Sequence, residues 1–257
     1  MPSFKSDSSF FHKIAMGAIG SREARRDLTQ RGHQIIELER GSLDAKIWKD
    51  VKRKRVRIPD LICTCCGRRI EVRAKSEPRI SMSHSPTIPE RSWDYGMVAN
   101  DWIALPICRE QQANDGHVSH WTRSMLVGDL SYWNEKEWIH WQPEGMVNYF
   151  KVAAFKDVPP DKAERKGAEE GSETTLTWRS CFAPITGIVE AISDSFITVR
   201  SSDGVSKRAG RKGMCLHVQV GTAVQQNQIM ACNAKPLAND DLNCDARLTE
   251  GAARSDG

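Results

Sequence analysis

Asp60 and Glu71 stand eleven positions apart on either side of a short turn sequence, Thr64-Cys-Cys-Gly67. The stretches 60–63 and 69–75 read as strands, so a hairpin can set both carboxylates on one face. Metal-assisted cleavage of a phosphodiester needs two such carboxylates aimed at one point, with a positive group beside the attacking water. A hard ion such as Mg²⁺ (or Mn²⁺) takes oxygen ligands, and Asp60, Glu71 and the main-chain carbonyl of Val72 make a sufficient set. Along 69–75, Ile70, Val72 and Ala74 alternate with Glu71, Arg73 and Lys75. The acidic pair is therefore expected on a solvent-facing side of the hairpin, with Arg73 and Lys75 beside Glu71. Taken alone, an Asp and a Glu on neighbouring strands are more often plain surface residues.

The turn carries a second chemistry. Cys63-Thr-Cys-Cys66-Gly67 has the Cys-x-x-Cys-Gly form of a zinc knuckle, in which the glycine lets backbone amides approach the thiolates. A structural Zn²⁺ site takes four ligands, and the chain holds no second Cys-x-x-Cys. Cys63 and Cys66 would need completion by Cys108, His84, His117 or His120, or by another chain. Buried free cysteines in a tight turn are the alternative. The other cysteines are scattered singles, which is not a disulfide framework and fits reduced thiols.

Charge is unevenly placed. The net charge is +4, yet residues 44–75 hold eleven Lys and Arg against four Asp and Glu. Lys52, Arg53, Lys54, Arg55 and Arg57 form its densest part and suit a phosphate backbone, whose counterions they would release. A solvated basic loop is the plainer reading of that run. No stretch of about 18 uncharged apolar residues exists that could span a bilayer. The first eleven residues lack the basic, apolar and small-residue series of a secretion signal, so a cytoplasmic location is expected.

These residues need elements to position them. Phe11, Ile14, Ala15, Ala18 and Ile19 recur at helical spacing, which predicts a helix over 11–28 despite Gly17 and Gly20. Gly32 is a plausible stop, with a strand at 34–38 behind it. Residues 101–108 read as a buried strand whose end Pro106 should push to an edge or bulge. The tryptophan-rich stretch 117–150 is expected to extend this first domain, its rings serving as core or cover rather than as base-stacking platforms. Pro159, Pro160 and many charges mark 151–178 as a linker. Short strands follow over 179–235, and 236–257 is expected to be a disordered tail.

Pro59-Asp60, a short connection and Glu71-Val-Arg-Ala-Lys75 resemble the PD-(D/E)XK motif of restriction-endonuclease-like nucleases. Gly20-Ser-Arg-Glu23-Ala24, Leu28 and Gly32-His-Gln-Ile-Ile36 are similar to the first helix of Holliday-junction-resolvase-like members, where a helical glutamate supports the metal site. The resemblance covers about residues 11–110 of a first domain over 11–150. It implies an α/β core with a central four-stranded mixed sheet and an acidic set of Glu23, Asp60 and Glu71. The family's lysine, two residues after the glutamate, is here Arg73, and a lysine appears instead at Lys75. Arginine cannot act as a general base, because its pKa lies above about 12, but it can hold water or steady phosphate charge.

Ala183-Pro-Ile-Thr-Gly187-Ile-Val-Glu-Ala-Ile192 and Gly221-Thr-Ala-Val-Gln-Gln-Asn-Gln-Ile-Met-Ala231 resemble the two halves of a biotinyl/lipoyl-like barrel-sandwich hybrid. A small all-β module is implied. No lysine flanked by methionines stands in a hairpin, so docking or positioning is expected rather than carriage of a swinging arm. The whole chain thus reads as a metal-dependent endonuclease acting on DNA in repair, recombination or defence. The rival reading is a catalytically inactive nucleic-acid-binding or assembly subunit, its β module contacting a larger protein complex; a zinc-ribbon-like adaptor ranks behind both.

Overall fold

The computed structural model describes residues 8–38, 59–113, 131–134, 137–165 and 173–245. The basic run Lys52 to Arg57, with His117 and His120, lies outside them.

Helix α1 runs Ser8–Gln30 and is buried on two sides, with Ala15 and Ile19 against Cys108 and Trp141, and Ala24 and Leu28, nearly opposite around the axis, against Leu61 and Ile70. Gly20, one turn before Ala24, lies on the side of Ala24 and Leu28, where it allows close approach. A Cβ there would stand 2.6 Å from the Ala74 Cβ and 2.9 Å from Pro106 Cγ. The helix therefore sits closer to the strands than an alanine would permit. It ends at Gly32, whose φ of +86° needs a residue without a side chain, and the His33 amide closes the turn on the Leu28 carbonyl at 3.0 Å.

The strands up to the middle of the chain are β1 Ile35–Glu37, β2 Leu61–Cys63, β3 Arg69–Val72, β4 Ile80–His84, β5 Trp102–Leu105, β6 Cys108–Ala113, β7 Ser131–Asn134, β8 Glu137–Pro143 and β9 Asn148–Lys151. A five-residue helix, α2 Val152–Lys156, follows. Then come β10 Lys162–Arg165, β11 Thr174–Trp178, β12 Ser180–Phe182, β13 Gly187–Ile192, β14 Phe196–Arg200, β15 Ser206–Gly210, β16 Ala223–Val224 and β17 Ile229–Cys232.

The central sheet is mixed and has five strands, in the order β1-β2-β3-β5-β9, with β3 and β5 parallel and the other neighbours antiparallel. Pairing alternates the two faces cleanly. Leu61, Ile70, Val72, Trp102, Ala104 and Tyr149 pack with Ala24 and Leu28 of α1. Ile103, Leu105 and Phe150 face the other way, against Ile80, Met82, Trp93, Met97 and Trp178. After Leu105, Pro106 interrupts the strand, and the chain passes into a second sheet of β6, β8 and β7. Trp141 in β8 is buried against Ile19 and Cys108, so this ring is core.

The boundaries expected for the second half are corrected. Residues 151–178 are not a linker: they include α2, β10 and β11, and β11 pairs with β4 along five residues up to Trp178↔Ile80. Polar strands escape an apolar rhythm when only one side is covered, and here Leu176 and Trp178 supply that side. The module over 179–235 is not separate either. Its Phe182, Ile229, Cys232 and Ala234 complete the same core as Phe150 and Trp178. A second cluster, Val189, Ile197, Val199, Val224, Met230 and Ala231, fills the space between the sheet β15-β14-β13-β16 and the pair β12-β17. No closed barrel forms among the described residues. The first part of the expected tail is also ordered, since Leu237 donates its amide to the Tyr149 carbonyl and Leu242 is buried beneath α1.

Candidate metal centre and acidic hairpin

The β2–β3 hairpin carries two clusters, one at each end. At its open end, Leu61 pairs with Ile70 and Ile62 with Arg69, so the next pair in register is Asp60 opposite Glu71. Here the two strands part, and a side chain takes over the ladder: Asp60 Oδ2 accepts the Val72 amide at 2.7 Å. A residue's N–H and C=O lie on one edge of an extended strand, so the Val72 carbonyl also looks toward the Asp60 side.

Glu71 is in register with Ile103 of β5 and therefore lies on the face away from α1. That face is covered, and Glu71 is 6% exposed rather than solvent-facing. Its Oε1 meets an Arg73 guanidinium nitrogen at 2.9 Å. Lys75, two residues further along, aligns with Ile107 in a parallel bridge, and its ammonium donates to the Ser81 carbonyl.

Glu23 does not join this group. It projects from α1, on the opposite face of the sheet, where Oε1 pairs with Arg26 at 2.6 Å. With Arg26, Asp27 and Arg31 it lines a hollow of about 1110 Å³ bounded across the gap by Val147, Thr186 and Arg200. The helical position that suits a glutamate in sequence is thus turned toward β9 and the C-terminal strands.

At the closed end of the hairpin the knuckle has the expected turn. Gly67 takes a φ of +69° and donates its amide to the Cys63 carbonyl at 2.9 Å. Its partners are not those expected from sequence. Cys108 is buried against α1, beside the Met16 carbonyl, and His84 ends β4. Instead, His33 from the turn after α1 and Cys244 from the C-terminal segment meet Cys63 and Cys66, with all four donor atoms within 4.8 Å of one another. Among the described residues this is the one group of three or more His, Cys, Asp or Glu close enough to hold a metal ion.

The electrostatics favour a thiolate at Cys63 alone. Burial pushes the Cys63 thiol up, but bonds from the Cys66 amide, the His33 ring and the Cys65 amide outweigh it and bring the pKa down to about 6. Burial and the neighbouring Cys63 sulfur push Cys66 up despite the Arg68 amide. Burial, with the other sulfurs, raises Cys244 as well. Three sulfurs so close cannot all ionise without a compensating cation.

Fold and site together define a mixed-sheet α/β protein with a Cys₃His cluster that could hold a metal and an acidic pair at the parting of two strands. No known protein family, characterised protein or solved structure shows significant similarity to the chain. Among the described residues, no helix is long and apolar enough to cross a membrane.

Proposed function

We propose that this chain is a metal-dependent endonuclease acting on DNA phosphodiesters in repair, recombination or defence. The observation that carries the reading is the contact between Asp60 and the Val72 amide, opposite Glu71, where β2 leaves β3. Two carboxylates and a main-chain carbonyl from neighbouring strands would make an all-oxygen set, which fits Mg²⁺ or Mn²⁺ and not a soft ion. When bound, such an ion would polarise a phosphate oxygen and acidify a water. Asp60, Glu71 and the Val72 carbonyl are assigned to hold it.

Arg73 is assigned to the phosphate. Its guanidinium carries a fixed charge and two parallel donors, and it stands on the Glu71 side chain rather than far along the strand. Lys75 is the further of the two positive groups and is already engaged by Ser81. The basic residues Lys52, Arg53, Lys54, Arg55 and Arg57 connect β1 to the hairpin in sequence and would add sequence-independent phosphate contacts.

One observation favours the rival reading, a catalytically inactive binding or assembly subunit. Glu71 is buried and already ion-paired, which is how a retired carboxylate is stabilised. Incubating the full chain with single-stranded, double-stranded and branched DNA, under Mg²⁺, Mn²⁺ or chelator, separates the two. Metal-dependent cleavage is expected. Binding without cleavage on any substrate would favour the inactive subunit, with the C-terminal strands as its contact to a larger complex.

A further inference from the structure

We infer that His33, Cys63, Cys66 and Cys244 form a closed structural zinc site that clamps the C-terminal segment onto the β2–β3 hairpin. The inference stands apart from the nuclease reading, since it uses different residues and a different kind of metal.

Geometry carries it. Arms of about 2.3 Å to sulfur and about 2.0–2.1 Å to nitrogen give a tetrahedron with edges of about 3.8 Å between sulfurs and about 3.5 Å from sulfur to nitrogen. Cys63 Sγ lies 3.8 Å from Cys244 Sγ, and Cys66 Sγ lies 3.6 Å from His33 Nδ1. Two opposite edges of the cluster thus already have the lengths that zinc imposes.

The surroundings prepare the same ligands. His33 Nε2 is 2.9 Å from the Leu242 carbonyl. A carbonyl can only accept, so Nε2 carries the ring proton and Nδ1 turns its lone pair to the cluster. Orientation of a ligand histidine through its other nitrogen is the usual support for a bound metal. The amides of Cys65 and Cys66 hydrogen-bond Cys63, and that of Arg68 reaches Cys66, the N–H to sulfur pattern of a knuckle around thiolates. Edge contact with the Trp102 ring, at 5.6 Å between centroids, also fixes the imidazole.

Four protein ligands leave no open position, so the site is structural rather than catalytic. Thiolates and imidazole select zinc over the hard cation assigned to Asp60 and Glu71. On binding, each cysteine gives its thiol proton to solvent and the sulfur bonds the metal. The clamp joins the end of α1, the hairpin and a segment 181 residues beyond Cys63, and it holds the hairpin three residues from Asp60.

The test is metal content of the full chain, purified under reducing conditions with zinc supplied. One equivalent of zinc is expected, retained in chelator that removes Mg²⁺ and released by a thiol-specific mercurial. His33→Ala and Cys244→Ser should each weaken zinc binding by more than the ~10–100-fold typical of losing a supporting partner, whereas Cys65→Ser should leave it unchanged. Cobalt exchanged into the wild-type chain gives a reading that survives misfolded variants: strong visible bands of tetrahedral cobalt with sulfur charge transfer are expected. A chain that stays zinc-free, an octahedral cobalt spectrum, or a Cys63–Cys244 disulfide under reducing conditions would overturn the site. Because zinc is counted directly, absence of DNA cleavage would leave this result untouched.

Discussion

Asp60 does for β3 what the next residue pair of β2 would otherwise do: its carboxylate accepts the Val72 amide at 2.7 Å and caps the ladder where the strands separate. This structural role and the metal-holding role proposed for Asp60 fall on one side chain, and isosteric substitution can divide them. Asp60→Asn keeps an oxygen to accept the Val72 amide but loses the charge that would hold a divalent ion. Cleavage should fall at least about a hundredfold, the scale of about 3 kcal/mol, with the denaturation midpoint nearly unchanged. Asp60→Ala should lose activity and, in addition, about 1–3 kcal/mol of stability from the orphaned amide. Wild-type cleavage by the asparagine variant would remove Asp60 from the site.

Arg73 and Lys75 should separate in the same assay. Arg73→Ala removes the partner of a buried carboxylate and should cost about 2–3 kcal/mol of stability as well as about a hundredfold in rate. Arg73→Lys should recover part of both. Lys75→Ala should have the smaller effect on rate, because its ammonium is held by the Ser81 carbonyl. A larger rate loss in Lys75→Ala than in Arg73→Ala would transfer the role along the strand.

Asn148 links the two halves of the chain. From β9 it donates to the Asn227 carbonyl at 2.7 Å and accepts the Ile229 amide at 2.8 Å, both within the buried interior. Asn148→Ala should leave two buried groups unsatisfied and cost about 2–4 kcal/mol, read by urea denaturation. Unfolding should remain a single transition, because residues on both sides of 178 share one core. Two separate transitions in the wild-type protein would contradict this shared core.

Asp161 supplies a pH dependence. Burial pushes its carboxyl up, but the Arg179 amide at 2.6 Å and guanidinium at 2.7 Å outweigh that and hold it below the ordinary value. A group depressed on folding stabilises the folded state above its unfolded pKa and stops doing so as pH falls through the folded one. The stability difference between wild type and Asp161→Asn should therefore be full at about pH 7 and shrink below about pH 4. A difference that grows on acidification would reverse the assignment.

Local signals in the chain were sufficient for the local elements. Apolar spacing over 11–28 marked α1, the alternation after Arg69 marked β3, Gly32 and Gly67 stand at positive φ where stops and turns were expected, and Pro106 ends β5. The pairing of Asp60 with Glu71 was also legible, because a hairpin with so short a turn has few registers. Tertiary structure decided what depends on long-range contact. Glu23 faces the hollow beside β9 because the turn of α1 on the sheet is set by Gly20 against Ala74 and Pro106, not by the helix's own periodicity. Glu71 is buried because the face it shares with Ile103 is covered by a second core, and alternation alone cannot label a face as wet or dry. His33 and Cys244 come to Cys63 and Cys66 only after α1, the hairpin and the segment around Cys244 have packed, so no spacing rule along the chain could select them over Cys108 or His84. Periodicity and turn chemistry act over a few residues, whereas a four-ligand cluster drawn from three distant segments exists only in the folded chain.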